Sequence, residues 1–181
     1  MVDIEHLNKG RLMLREFIST STLQERIAEL GKTISEDYKN EELIIVVLLR
    51  GSFIFASDLV RAIEGDLVVD FMVVSSYQGM ETSGEVRIFK DLAENIHDRH
   101  VLIVEDIVDT GLTLTKIIDL LKSRNPKSLE TCSLLSKPSR RIKQVPIKYV
   151  GFSIEDKFVV GYGLDLDQKY RQVPYIAEMI E

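Results

Sequence analysis

Two patterns of apolar residues alternate along the chain. Short runs rich in Val, Ile and Leu are followed by segments in which apolar residues recur every three or four positions. Runs of the first kind are typical of strands buried on both faces of a parallel sheet, and the second pattern is typical of amphipathic helices. The main predicted strands cover residues 43–49, 67–74, 101–104 and 129–135, and further short ones lie near 86–89, 149–154 and 158–162. This alternation predicts an α/β fold with a parallel sheet and helical crossovers.

Helices are predicted between these strands. The first begins at a capping box, Thr22 to Glu25, after which Ile27, Leu30 and Ile34 recur at helical spacing. Two further helices are predicted at residues 53–63 and 112–121, and a solvated turn at 37–42. Residues 77–84 contain two glycines and have no apolar period, which predicts a mobile loop.

Composition limits the possible partners and location. With 181 residues and no linker or repeat, we expect one domain spanning 1–181. A formal net charge of -6 argues against nucleic-acid binding. The longest apolar run, 43–49, is too short for a membrane span, and the first residues do not resemble a signal peptide. Cys132 is expected to be a buried, inert thiol. A cytoplasmic protein with neither nucleic-acid nor membrane partners is predicted.

An acidic pair followed by a glycine-containing turn is the strongest candidate site. Glu105 and Asp106 follow the predicted strand 101–104 and should lie at its carboxyl end, where open α/β sheets bind ligands. The sequence Asp-Thr-Gly-Leu-Thr, 109–113, then leads into a helix. Backbone N–H groups and the dipole at a helix start favour phosphate, while paired carboxylates can bind vicinal hydroxyls or a magnesium ion. The segment therefore predicts a ribose 5-phosphate site.

This segment resembles the 5-phosphoribosyl-1-pyrophosphate (PRPP) motif of the type I phosphoribosyltransferases. Further matching motifs are Leu-Arg-Gly-Ser at 49–52, Ser76-Tyr77, Lys137 and DKFVVGYGLD at 156–165, and together they resemble the hypoxanthine-guanine phosphoribosyltransferases. The resemblance implies a type I phosphoribosyltransferase fold, in which a central, mainly parallel sheet is flanked by helices. A small hood subdomain would be formed from parts of the N- and C-terminal segments.

The implied activity is purine salvage. By this resemblance, the protein transfers 5-phosphoribosyl from PRPP to N9 of a 6-oxopurine, hypoxanthine or guanine, and gives IMP or GMP and pyrophosphate with Mg²⁺. Relatives form homodimers or homotetramers. The sequence does not choose between these two states, and it does not fix the preference among hypoxanthine, guanine and xanthine.

The resemblance also implies individual roles. Asp109 would be the general base at N7 of the purine, and Glu105 and Asp106 would contact the ribose hydroxyls directly or through Mg²⁺. The 5-phosphate would be bound, largely through backbone N–H groups, by the turn that begins with this Asp: Asp109, Thr110, Gly111, Leu112 and Thr113.

The other implied roles concern pyrophosphate, purine and a lid. Arg50, Gly51 and Arg171 would bind pyrophosphate, with a non-proline cis peptide between Leu49 and Arg50. Many relatives have Lys at the position of Arg50, so its side-chain role stays open. The purine contacts implied are Lys137 at O6, Phe158 by stacking, Val159 through its backbone and Asp165, which would also be the second Mg²⁺ contact. Ser76 and Tyr77 would begin the lid formed by the loop 77–84.

Residues without a match have simpler interpretations. His6, His97 and His100 match nothing catalytic, and His97 and His100, which flank a polar turn, are expected to be solvated. Arg140 and Arg141 either add positive potential near the phosphates or lie on the surface.

Three other functions compete with this interpretation. A non-enzymatic regulator of the same fold is disfavoured by the acidic charge. A two-component receiver shares an acidic pair and a Lys-Pro motif, here Lys137-Pro138, but the only Asp between Asp109 and Lys137 is Asp119, inside a predicted helix. The receiver is therefore excluded by motif order. A sugar-pyrophosphate kinase or another PRPP-fold transferase fits the loop, but the segment 156–165 favours the purine branch.

Overall fold

The computed structural model describes residues 13–76 and 86–180. The strands and helices, numbered separately in chain order, are β1 (Met13–Ile18), α1 (Thr20–Asp37), β2 (Glu42–Leu49), α2 (Phe53–Ala62), β3 (Asp66–Ser76), β4 (Val86–Lys90), β5 (His100–Val108), α3 (Leu112–Lys122), β6 (Ser128–Ser136), β7 (Tyr149–Ser153), β8 (Val159–Val160) and β9 (Ile176–Ile180). A single turn of 3-10 helix, Pro138–Arg140, follows β6.

In the described part of the chain, six strands form the central sheet in the order β4-β3-β2-β5-β6-β7. Every neighbouring pair from β3 to β7 is parallel, and only the edge strand β4 runs antiparallel to its neighbour. The predicted α/β class, with a mainly parallel central sheet, is confirmed. Parallel strands bring their carboxyl ends to one edge, which is the edge expected to bind ligands.

The middle of the central sheet is buried on both faces, and β2 shows how. Leu43, Ile45 and Val47 pack into a core with α1 and α2, whereas Ile44 and Val46 pack into a second core with α3. Successive side chains of a strand point to opposite faces, so a continuous apolar run fills both cores. The pattern that predicted the strand therefore also explains why helices flank the sheet on both sides.

Strands β1, β9 and β8 form a separate, small antiparallel sheet, which corresponds to the predicted hood. Strands β1 and β9 of this sheet were not predicted. Both contain charged residues, and Arg15 of β1 forms an ion pair with Glu178 of β9. The prediction of a strand over 158–162 was too long, because β8 contains only Val159–Val160 and the chain then adopts positive φ at Gly161 and Tyr162.

Two further predicted boundaries were wrong. Helix α1 is capped by Ser19, whose Oγ accepts the Thr22 N–H at 3.2 Å, so Thr22 lies in the first turn and is not the cap. Strand β5 continues through Val108, because its ladder with β6 extends to the pair Val108 and Ser136. The acidic pair therefore lies within the last part of a strand and not after it.

Other expectations have mixed outcomes. Cys132 is buried, as predicted, and its burial raises the pKa of the thiol, which disfavours the reactive thiolate. The prediction that His100 is solvated was wrong: it is mostly buried, its Nδ1 is 2.6 Å from Ser128 Oγ, and its ring meets Tyr38 edge-on.

No helix within residues 13–76 and 86–180 is long and apolar enough to cross a bilayer.

Candidate active site

A cavity of about 740 Å³ lies at the carboxyl edge of the central sheet. It is lined by the ends of β2 and β5, the turn into α3 and the segment before β9. It brings together ten of the residues implicated by sequence: Arg50, Gly51, Glu105, Asp106, Asp109, Thr110, Gly111, Thr113, Asp165 and Arg171. Leu112, Lys137, Phe158 and Val159 lie outside its lining.

Negative charge on both carboxylates of the acidic pair, Glu105 and Asp106, is electrostatically unfavourable in this site. Burial and the neighbouring charge of Asp106 raise the pKa of Glu105 well above its usual range. Burial also raises the pKa of Asp106, although its Oδ1 accepts the Ile107 N–H at 2.7 Å. A nearby cation would favour both carboxylates in their charged form.

The donor set around this pair fits a magnesium ion only in part. Among residues 13–76 and 86–180, no three Asp, Glu, His or Cys side chains cluster tightly enough to hold a metal by themselves. Asp165, the third predicted metal contact, lies in the same cavity but pairs with Arg171 at 2.8 Å. Mg²⁺ typically uses one or two carboxylates and completes its shell with water and substrate phosphate, so the Glu105-Asp106 pair suits that mode.

The turn between β5 and α3 is fixed from behind by the segment after β6. Gly111 is the N-cap of α3 with φ 81°, and a Cβ built on it would lie 2.3 Å from Lys143 O. The N–H groups of Ile142 and Lys143 both donate to Thr110 O at 3.0 Å. Only glycine fits this left-handed, crowded position. The turn therefore presents a preformed helix N-terminus to the cavity, which is a favourable place for an anion.

Asp109 stands at the start of this turn and is held by two arginines. Its Oδ1 accepts from Arg140 Nε at 3.0 Å, and its backbone O accepts from Arg141 Nη1 at 2.8 Å. Arg141 also donates to Ser136 Oγ at 2.7 Å. Sequence left a surface role or a phosphate role open for the two arginines. Both contact Asp109, and Arg140 is also exposed at the surface.

Two guanidinium groups, those of Arg50 and Arg171, also line the cavity. The peptide between Leu49 and Arg50 is cis, as predicted. Arg50 Nη1 and Arg171 Nη2 each lie 3.0 Å from Gln168 Oε1, and Arg171 Nη1 donates to Gly163 O at 2.7 Å. Planar guanidinium groups are well suited to bind phosphate oxygens. Gln168 was missed by sequence reasoning, since only the folded chain brings residue 168 next to residue 50.

The predicted purine contacts lie in three segments: Lys137 follows β6, Phe158 and Val159 lie at the start of β8, and Asp165 lines the cavity. Lys137 is only 7% exposed, and its Nζ is 3.5 Å from Asp156 Oδ1. Phe158 is 53% exposed, so its ring has free surface, whereas Val159 is buried in β8. Asp156 was not singled out by sequence, although it is the first residue of the matched motif.

The lid prediction falls mostly outside the described residues. Ser76 is the last residue of β3. Tyr77 and the loop 77–84, for which mobility was predicted, lie outside residues 13–76 and 86–180.

Comparison with known proteins agrees with this geometry. Residues 19–167 match the model of the phosphoribosyl transferase domain. The chain is 52% identical over 166 residues to a hypoxanthine phosphoribosyltransferase of Escherichia coli strain K12, covering 90% of this chain and 93% of that protein. It is 48% identical over 163 residues to a hypoxanthine-guanine phosphoribosyltransferase of Staphylococcus epidermidis, covering 90% and 91% respectively.

Solved structures show the same similarity in three dimensions. A hypoxanthine-guanine phosphoribosyltransferase from Bacillus anthracis superposes with a TM-score of 0.89 at 42% identity, covering 94% of this chain and 100% of that one. A hypoxanthine phosphoribosyltransferase from Staphylococcus aureus gives a TM-score of 0.89 at 44% identity, covering 99% and 96%. The carboxyl-edge cavity, the turn into α3 and these similarities lead to one conclusion: the chain belongs to the phosphoribosyltransferase family, with hypoxanthine and hypoxanthine-guanine phosphoribosyltransferases among its relatives.

Proposed function

We propose that this protein transfers 5-phosphoribosyl from PRPP to N9 of hypoxanthine or guanine, forming IMP or GMP and pyrophosphate in purine salvage. The observation that carries the proposal is one cavity that is lined both by the turn beginning at Asp109 and by Arg50 and Arg171. PRPP is one ribose that carries a phosphate on its 5-oxygen and a pyrophosphate on its anomeric carbon. The cavity offers a phosphate-binding element for each end.

The reaction needs a proton acceptor beside the purine. The purine N9 lone pair forms the bond to the anomeric carbon, and the electrons of the breaking C–O bond leave with pyrophosphate. The purine ring then carries excess positive charge, which is relieved as the N7 proton moves towards a carboxylate. We assign this role to Asp109, which begins the phosphate turn and whose carboxylate is 40% exposed.

We assign the 5-phosphate to residues 109–113 and the ribose hydroxyls to Glu105 and Asp106. Backbone N–H groups at the start of α3 would bind the phosphate, so the apolar side chain of Leu112 need not touch it. The two carboxylates would also stabilise a sugar that becomes cationic as the leaving group departs.

Mg²⁺ is the cofactor we propose, held by Glu105 and Asp106 and, at a second position, by Asp165. A bound Mg²⁺ would neutralise the charge that develops on pyrophosphate. Arg50, Gly51 and Arg171 would bind the same group from the protein side. Removing divalent ions with EDTA should abolish turnover, and adding Mg²⁺ should restore it.

For purine recognition we propose Lys137 as the donor to O6, Phe158 as a stacking ring and the Val159 backbone and Asp165 at the opposite edge. Lys137 is buried, so a substrate without an acceptor at position 6 would leave a desolvated ammonium without its substrate contact. A site built around one such hydrogen bond can reject the wrong analogue by about 10⁴-fold. Adenine presents an amino group there and should be a poor substrate. Ser76 and Tyr77 are proposed to begin the lid.

We further propose a single domain over 1–181, a cytoplasmic location and a homodimer or homotetramer. Three apolar side chains of β3 and β4, Val69, Phe71 and Phe89, are each more than two-fifths exposed, which supports a subunit contact on that part of the sheet. Light scattering coupled to size exclusion would give the subunit number. A monomer at micromolar concentration would remove the oligomer proposal.

The decisive test is a purine panel. Hypoxanthine, guanine, xanthine and adenine are each incubated with PRPP and Mg²⁺, and pyrophosphate release is followed. Turnover with hypoxanthine or guanine and little or none with adenine is expected. Absence of turnover with both hypoxanthine and guanine would overturn the assignment and favour another PRPP-fold transferase.

A further inference from the structure

Four charged side chains form a continuous chain between the PRPP turn and the purine contacts. Asp109 Oδ1 accepts from Arg140 Nε at 3.0 Å, and Arg140 Nη1 donates to Asp156 Oδ2 at 3.2 Å. The other oxygen of Asp156 lies 3.5 Å from Lys137 Nζ. Negative and positive groups alternate along this chain. Its two ends are the groups assigned above to N7 and O6 of the purine.

The two basic residues of this series of ion pairs, Lys137 and Arg140, belong to one short turn. Lys137 is fixed at the end of β6, where its N–H donates to Val108 O at 3.0 Å. The Arg140 N–H then donates to Lys137 O at 3.1 Å and closes the 3-10 turn Pro138–Arg140. The position of Arg140 relative to Lys137 is therefore set by local backbone hydrogen bonds.

The acidic residues reach this turn from two other segments. Asp109 follows β5, and Asp156 lies between β7 and β8. Arg140 thus joins three segments that are separate in sequence. Since O6 and N7 lie on the same edge of a 6-oxopurine, the spacing between the Lys137 ammonium and the Asp109 carboxylate decides whether one base can meet both.

We propose that Arg140 is a positioning residue that sets this spacing. It holds Asp109 Oδ1, which leaves Oδ2 to accept the N7 proton, and through Asp156 it orients the Lys137 ammonium towards O6. Arg140 itself need not touch the substrate. This role rests on the proposed function, because it concerns how the same site aligns a 6-oxopurine.

A surface ion pair without function is the competing explanation, since Arg140, Asp109 and Asp156 are all about half exposed. Such pairs contribute little to stability. The two explanations differ in what they predict for catalysis. A positioning role changes kcat and the purine KM while the PRPP KM and Tm stay the same.

The test uses Arg140→Gln, Arg140→Lys and Asp156→Asn, with Arg124→Gln as the matched control. Arg124 also pairs with an Asp, Asp91 at 2.7 Å, but in a different part of the fold. Kinetic constants are measured separately for hypoxanthine and PRPP, together with Tm. We expect kcat/KM for hypoxanthine to fall about fivefold to tenfold in Arg140→Gln, to recover at least in part in Arg140→Lys, and to stay at wild-type level in the control.

Three results would overturn the role of Arg140. They are unchanged kinetics in both Arg140→Gln and Asp156→Asn, an equal rise in the PRPP and purine KM values, or a loss of activity that follows a loss of Tm. If Arg140→Gln fails to fold, Arg140→Lys and Asp156→Asn decide by the same criteria. No turnover by the wild-type protein on the purine panel would instead remove the proposed function, and the role of Arg140 with it.

Discussion

Gly51 lies against the carboxylate of Asp106, so that a Cβ built on Gly51 would be 1.5 Å from Asp106 Oδ2. The backbone after β2 and the acidic pair of β5 therefore meet directly. Gly51 does not have a positive φ, so no left-handed conformation requires glycine there. The requirement for glycine comes from the space that the Asp106 carboxylate occupies.

Gly51→Ala should impair catalysis by displacing that carboxylate. The added methyl group cannot share the position of Oδ2, so Asp106 must rotate away from the cavity. We expect kcat/KM for PRPP to fall by about 100-fold, as small misplacements in active sites do, with only a small loss of Tm. The check is a double-mutant cycle with Asp106→Ala. If Gly51→Ala still lowers activity once Asp106 has been truncated, the effect does not act through the carboxylate.

Gly163 is expected to be more sensitive than a second glycine with similar strain. Gly163 and Gly65 both have positive φ, 102° and 139°. A Cβ on Gly163 would lie 2.1 Å from Gly51 O, whereas a Cβ on Gly65 would meet nothing within 4 Å. Gly65→Ala should therefore show backbone strain alone, about 1 kcal/mol in the free energy of unfolding, with full activity. Gly163→Ala should lose activity as well, because the Gly51 backbone must shift. Equal activity in the two variants would contradict this.

The sequence predicted the central sheet well and the small sheet poorly, for a physical reason. Strands such as β2 are apolar on both faces, so their pattern is unmistakable. Strands β1 and β9 are short and partly exposed, and they pair across more than 150 residues with an ion pair between Arg15 and Glu178. Their stability comes from that distant pairing, which leaves no local apolar pattern to find.

The residues of the candidate site likewise fall into those that the sequence identified and those that it did not. The turn 109–113 and the acidic pair could be identified because each is continuous in sequence and linked to a strand end. Gln168 could not be identified, and the role of Arg140 stayed open, because their contacts with Arg50 and Asp109 are created only by the folded chain. The specific partner of a polar side chain depends on tertiary structure, whereas a phosphate turn is encoded locally.

Asp109→Asn should lower kcat far more than it changes the KM for PRPP. The amide oxygen can still accept from Arg140 Nε, so the turn should keep its shape, but an amide does not take the N7 proton. Loss of a general base typically costs about 10²- to 10⁴-fold. Steady-state kinetics with hypoxanthine and PRPP varied in turn would measure both constants. An unchanged kcat would remove Asp109 as the base.

Asp70 should stabilise the fold in a way that depends on pH. It is 5% exposed in β3, and its carboxylate accepts the N–H groups of Phe71 and Ala93 at 2.7 Å and of Glu94 at 2.9 Å. Burial alone would raise the pKa of Asp70, but these N–H groups and Lys90 lower it below 3.8. A carboxyl group whose pKa is lower in the folded state contributes its full stabilisation above the unfolded pKa, and loses it as the pH falls through the folded value.

Asp70→Asn should therefore cost about 2 kcal/mol of unfolding free energy at neutral pH, because an amide has one acceptor oxygen where the carboxylate has two. The cost should stay constant down to about pH 4 and shrink below it, as the wild-type carboxyl group takes up its proton. Urea unfolding followed by circular dichroism between pH 7 and pH 3 measures both proteins. Asp66→Asn, at the exposed start of the same strand, is the matched control and should change stability little at any of these pH values. A difference between wild type and Asp70→Asn that grew towards pH 3 would show that the carboxylate is not stabilised by these N–H groups.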